Sequence, residues 1–259
     1  MSDHLDDHLD KVAEILGVAW DVVLEGHNLR TIKEWGLDIE KPDIEEPAVE
    51  SSGKAPWGLG IVPFVPPGLD LAAENIRAIL NREQCDHAPQ IMARILLEAF
   101  KGAQFKLLTL AVRPEKAIPL FKKDVLCQQD AYIHTVVTVK FPGPIPRWWV
   151  LDLTRSQFGY GHVWMLLDTY CQRYKDPGSL IASWVPLIVS SGGRARKDPF
   201  FEALRDRLFA TFCTTLREQG LHSIQDLVIL HPEDAREKAD VLVEALRACT
   251  EDTAAEWRV

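Results

Sequence analysis

The chain has 259 residues, 47% apolar and 26% charged, with a formal net charge of −9. That length and balance fit one sizeable core with additions at its ends, and the negative charge argues against nucleic acid or an anionic membrane as a partner. Five cysteines at 85, 127, 171, 213 and 249 form no CxxC pair and no even framework, which suits a reducing compartment. Residues Met1 to Asp7 are acidic where a leader would be basic, and no apolar run reaches membrane-spanning length. The expected setting is cytoplasmic.

Residues 1–37 form the first segment, predicted to be helical. Leu9, Val12, Ile15, Leu16 and Trp20 fall at helical spacing with acidic residues opposite, as expected of a helix packed on a core. Residues 38–69 are an acidic, proline-bearing connection followed by an irregular apolar segment, Pro56 to Pro67, broken by proline and glycine. The core is expected over residues 70–190. A helical pattern runs from Asp70 through Leu71, Ile76, Ile79 and Leu80 to a polar break at Asn81–His87 (NREQCDH). A second helix is predicted over Pro89–Lys101, with Ile91, Met92, Ile95, Leu96 and Phe100 spaced for burial. Phe105–Val112 reads as a buried strand, and Lys116–Lys123 as a short amphipathic or irregular piece.

Ala131–Tyr160 follows, and the rest of the chain is organised around it. Tyr132 to Val139 (YIHTVVTV) is rich in β-branched residues and reads as a strand. Pro142, Pro144 and Pro146 end it, because proline cannot donate to a ladder and Pro-Gly favours a turn. Trp148 to Leu153 (WWVLDL) resumes as a strand. Antiparallel pairing of the two brings His134 beside Asp152, and a buried strand has no structural need for either. Trp148 and Trp149 point to opposite faces, so at least one should be buried. Val163–Tyr174 is predicted as a further helix.

Residues 191–259 form a helical extension. Asp198-Pro199 is a start signal and Gly220 a stop, with Leu204, Leu208, Phe212 and Leu216 every four residues between them. His231-Pro232 opens the last helix, with Ala235, Ala239, Leu242, Leu246 and Cys249 on one stripe.

The candidate nucleophile is Cys85. It stands just before a predicted helix, where the dipole and unpaired N–H groups favour a thiolate and can serve acyl chemistry. Asp86 is a candidate cap for that helix, and Pro89 is tolerated in its first turn while discouraging a helical Ala88. Cys171, Cys213 and Cys249 lie in helical patterns and read as packing residues. Cys127 precedes the His134 strand without a helix start behind it.

Cysteine at a helix start, then a strand with histidine, then a strand with aspartate resembles the order of the transglutaminase-like and papain-like superfamily. The stretch from Trp149 to Gly159 (WVLDLTRSQFG) is its most specific part, similar to a strand, an Asp and then T-x-x-Q-F in members of unassigned substrate. The resemblance covers residues 70–160. It implies an α+β fold in which a helix carrying the cysteine packs on an antiparallel sheet carrying the other two. It further implies that Cys85 attacks an acyl or amide carbon, His134 carries the proton and Asp152 orients the imidazole. Departures are an Asp-His pair after Cys85, and Gln84 adjacent to the cysteine where papain-type enzymes place a glutamine further upstream.

Candidate substrate-binding residues are Gln84, Trp149, Gln157, Arg194 and Arg196. Gln157 has a structural reading too, satisfying backbone groups after the strand. Arg194 and Arg196 lie in the one basic loop (SSGGRARK, 190–197), which could hold an anionic group but lacks a P-loop ending. A zinc site built on Cys85, His87, His134 and Asp152 is disfavoured, because no close ligand pair such as CxxC or HxxxH is present.

The expected function is thiol-dependent acyl chemistry without a cofactor: amide or thioester hydrolysis, or acyl transfer to an amine. Its substrate would be a small molecule or peptide, conceivably carrier- or CoA-bound. The alternatives are a non-catalytic scaffold that docks a protein partner through the C-terminal helices, and a deamidase-type effector acting on protein glutamine.

Overall fold

The computed structural model describes residues 2–34, 85–115, 121–122, 125–126, 132–143, 147–179, 181–187 and 199–257. The connection over residues 38–69, the helical run after Asp70, Gln84, Cys127, Arg194 and Arg196 lie outside them. The chain is α+β. Helix α1 (Ser2–Glu34) is followed by two short helices, α2 (Ala88–Ile91) and α3 (Ala93–Ala99), and then by strand β1 (Gln104–Val112). A two-stranded ribbon, β2 (Phe121–Lys122) with β3 (Val125–Leu126), precedes β4 (Tyr132–Lys140) and β5 (Trp148–Leu151). A 3-10 turn (Arg155–Phe158), β6 (Trp164–Leu166), α4 (Leu167–Tyr174) and β7 (Ile181–Pro186) come next. Helices α5 (Pro199–Glu218), α6 (Ile224–Val228) and α7 (Pro232–Glu256) close the described chain.

Among the described residues, five strands form one antiparallel sheet in the order β6-β5-β4-β1-β7. Its centre is β4, the β-branched run, whose residues 134–139 are buried on both faces. Successive residues alternate between two cores. Val137, Val139 and Leu151 join Leu16 and Trp20 of α1, Leu96 of α3, Leu208 and Phe212 of α5, and Leu246 of α7. Val136 and Val150 face the other way, onto Leu108, Leu110, Phe158, Tyr160, Tyr170 and Tyr174.

The helical stripes behave as their spacing predicts: Leu9, Val12, Leu16 and Trp20 are buried, as are Leu204, Leu208, Phe212 and Leu216. Gly220 follows α5 in a left-handed conformation (φ 74°) that only glycine adopts freely, and its N–H closes on the Arg217 carbonyl.

Three sequence expectations are corrected. The helix predicted over Pro89–Lys101 is two pieces, interrupted at Met92. The helix predicted over Val163–Tyr174 begins as strand β6, because Trp164, Met165 and Leu166 pair with β5 before the chain turns helical at Leu167. Within Lys116–Lys123, Phe121 and Lys122 are a strand rather than an irregular piece. No described helix is long and apolar enough to cross a membrane.

Candidate active site

His134 and Asp152 are brought together by strand register. β4 and β5 pair Val137 with Leu151 and Thr138 with Val150. One step beyond the end of β5, Asp152 falls opposite Val136, on the same face as His134 and diagonal to it. The diagonal is closed by side chains: His134 Nε2 lies 2.9 Å from Asp152 Oδ2. Asp152 is held from three more directions. Its backbone N–H donates to the Val163 carbonyl at 2.8 Å, the Thr154 N–H donates to Oδ1 at 3.2 Å, and the Tyr170 hydroxyl donates to Oδ2 at 2.8 Å. His134 is 0% exposed and Asp152 1%. A carboxylate so far from water needs such donors, and this one has them.

The imidazole is charged. Burial works against the imidazolium, but the charge of Asp152 and its hydrogen bond outweigh it, with further help from Cys85, and His134 is pushed up to about 10. Burial, then the Asp152 charge, pushes the Tyr170 phenol well above its ordinary range, so it remains a donor. Tyr160, stacked on Tyr174, donates to the Arg113 carbonyl at 2.8 Å and packs edge-on against Tyr170. Tyr170→Phe keeps this packing and removes one hydrogen bond to a charged acceptor. It should lower stability by about 1.5–3 kcal/mol in urea unfolding. A variant indistinguishable from the parent would contradict the role given to that hydroxyl.

Cys85 sits in the turn 85–87, partly exposed and free, within hydrogen-bonding reach of His134. Cys85 is thus partly exposed while His134 and Asp152 are sealed from solvent. The local geometry differs from the expected cap. Asp86 is exposed; the residue at the cap position is His87, whose carbonyl accepts from Gln90 and Ile91 and whose ring stacks on Phe201 of α5 at 5.5 Å. His87 is therefore partly buried against another helix rather than a surface residue. One helical turn stands behind Cys85 before the break at Met92, so the dipole expected of a long helix is reduced. The imidazolium is the nearer source of positive charge.

Gln157 comes to the site on the 3-10 turn. Its Nε2 lies 3.4 Å from His134 Nδ1 and 3.0 Å from Thr154 Oγ1, while the neighbouring Phe158 ring packs edge-on against the imidazole at 4.8 Å. Trp149 does not belong to the site. It alternates onto the opposite face, stacks on Trp164 at 5.3 Å and packs against the helix-covered core. Trp148 takes the other face and meets Trp184 and the Lys106 ammonium. Tyr170 carries no motif in the sequence, and Thr154, the first residue of the T-x-x-Q-F stretch, is given no role by it. Among the described residues no group of three or more His, Cys, Asp or Glu side chains is disposed to hold a metal ion.

No protein-family model, curated protein or solved structure matches the chain.

Proposed function

We propose that the chain performs thiol-dependent acyl chemistry, with Cys85 as nucleophile, His134 as general acid toward the leaving group and then general base toward the incoming water or amine, and Asp152 as the group that orients and charges the imidazole. The observation that carries this reading is the buried His134–Asp152 contact of 2.9 Å with a partly exposed cysteine in reach of the same ring. A packing role explains none of the three together. A buried carboxylate and imidazole destabilise a sheet unless paired, and their pairing beside a partly exposed cysteine is an arrangement that nucleophilic catalysis uses. The order Cys, His, Asp and the resemblance to transglutaminase-like and papain-like proteins agree with this, with the turn and helices after Cys85 as the nucleophile-bearing element.

In the proposed cycle the sulfur, its proton given up to solvent, bonds to the acyl carbon beside an imidazolium already charged by Asp152. The imidazolium gives its proton to the departing amine or thiol, leaving a thioacyl group on Cys85. Water or an amine then attacks the thioacyl carbon and passes a proton to the now neutral ring, and sulfur leaves as the thiolate. The substrate is a small-molecule or peptide amide or thioester, carrier- and CoA-bound acyl groups included.

Brief exposure to p-nitrophenyl acetate followed by acid quench and peptide mass spectrometry tests the reading. The acetyl group is expected on Cys85, and Cys85→Ser should abolish the burst of nitrophenol release. Acetyl spread over lysines, or found on another cysteine, would contradict it.

A further inference from the structure

We propose that an acidic peptide segment of a partner protein docks across one corner of the sheet, on a row of aromatic and cationic side chains independent of the proposed chemistry. Residues directly opposite in a ladder share a face, and strand register builds the row. Trp148 pairs with Lys140 and Lys140 with Gln104, while Trp184 pairs with Leu108 and Pro186 with Lys106. Lys106, Lys140, Trp148 and Trp184 therefore lie on one face, the face that also carries His134. Near His134 that face is covered, because Phe158, Tyr170 and Tyr174 pack with Val136, Val150 and Leu108. Beyond the buried Thr138 exposure returns. Trp184 is 39% exposed, Trp148, Lys106 and Lys140 are partly exposed, and Arg147, just before β5, is exposed.

These side chains hold one another. The Lys106 ammonium stands 4.7 Å from the centre of the Trp184 ring and 5.3 Å from that of Trp148, and the Lys140 ammonium 5.7 Å from Trp148. The two indoles meet edge to face at 5.2 Å. The rings are thus engaged by ammonium groups and by each other, so the row offers a ligand positive charge more than a platform for stacking a base. That charge is uncompensated. Arg94, Arg113, Arg173, Arg207 and Arg247 each meet a carboxylate, whereas Lys106, Lys140 and Arg147 meet none among the described residues. Three such cations in one corner of a chain of net charge −9 are an electrostatic complement to an anion.

The layout favours an extended acidic chain among anions. β5, β4, β1 and β7 are successive neighbours, so the row spans about 14 Å at about 4.8 Å per strand. Four or five residues of extended peptide cover that length, and acidic residues at alternate positions set carboxylates about 7 Å apart along one side. A second copy of the chain is the poorer occupant, because a twofold axis here would bring two cationic rows together.

Fluorescence anisotropy on the full chain tests the proposal, with fluorescein-labelled (Glu-Ser)5 as the probe, (Gly-Ser)5 as its neutral control and a labelled dT10 oligonucleotide as the nucleic-acid arm. The parent is expected to bind (Glu-Ser)5 in preference to both, despite its own negative charge, and to bind it more weakly as salt rises. Lys106→Gln with Lys140→Gln should weaken binding about tenfold, the scale of a few exposed ion pairs. Lys11→Gln with Lys101→Gln removes the same charge from exposed positions outside the row and should change it less than about threefold, with circular dichroism verifying the fold of both. Equal weakening by the two double variants would reduce the effect to overall charge and overturn the proposal. No binding of (Glu-Ser)5 by the parent, or tighter binding of dT10, would overturn it as well. So would a dimer in sedimentation velocity that only the Lys106→Gln, Lys140→Gln variant loses, since the row would then belong to a second copy.

Discussion

Asp152→Ala should destabilise the protein by about 3–5 kcal/mol, because it strands a charge that water cannot reach. His134 is completely buried, and the carboxylate is what makes its imidazolium tenable there. Removal also leaves the Tyr170 hydroxyl and the Thr154 N–H without the acceptor they share. Asp152→Asn separates folding from chemistry. The amide keeps the shape and one acceptor, so the fold should lose less, while the orienting charge is gone. On the proposed function, acyl transfer should then fall by about 10⁴-fold. Urea unfolding of the alanine variant and the nitrophenol burst of the asparagine variant check the two halves. A stability loss of about 0.5 kcal/mol, the scale of an ordinary surface substitution, would mean that the pair is not buried as described.

The second large effect is on pH. His134 binds its proton more tightly in the folded chain, at about 10, than at its ordinary 6.5. Between those values the folded state holds a proton that the unfolded state lacks, so stability from this group is complete below about pH 6.5 and declines as pH rises toward 10. The slope approaches about 1.4 kcal/mol per pH unit within that window. Measured as the difference in unfolding free energy between the parent and His134→Gln, other titrations largely cancel. That difference should stay level below pH 6.5 and fall steadily above it. A difference that is flat from pH 6.5 to 10, or one that rises, would show that the imidazole is neutral in the folded chain.

Much of this arrangement is legible in the residues, and the boundary has physical causes. The β-branched run from Tyr132 to Val139 announces the central strand, and Leu204, Leu208, Phe212 and Leu216 announce α5, because local periodicity and burial agree in both. Pairing those strands antiparallel is enough to set Asp152 near His134. The break at Met92 is not legible, since the apolar spacing on either side is continuous. β7 escaped because Ile181 to Pro186 is a short edge strand ending in proline, which local pattern does not distinguish from a loop. β6 escaped because Trp164 and Leu166 fit either period over so short a run. The Tyr170 contact depends on how α4 folds back over the end of β5, a tertiary fact with no local mark. Trp149 was drawn to the site by proximity in sequence; the two-residue period of the strand sends it to the other face. Helix α6 did carry a signal, Ser223 with Asp226 three residues on, and the carboxylate accepts from the His222 and Ser223 N–H groups at 2.7 and 2.9 Å.

Whether Cys85, His134 and Asp152 act as one unit is decided by alkylating the native protein with limiting iodoacetamide. Peptides would be quantified by mass spectrometry from pH 5 to 9, for the parent and for His134→Ala. Burial pushes the Cys171 and Cys213 thiols up, so both should react late. Cys85 is expected to label first, and His134→Ala to abolish that lead. Cys85 labelling no faster than the other cysteines, or keeping its lead without His134, would show that the three residues do not act together.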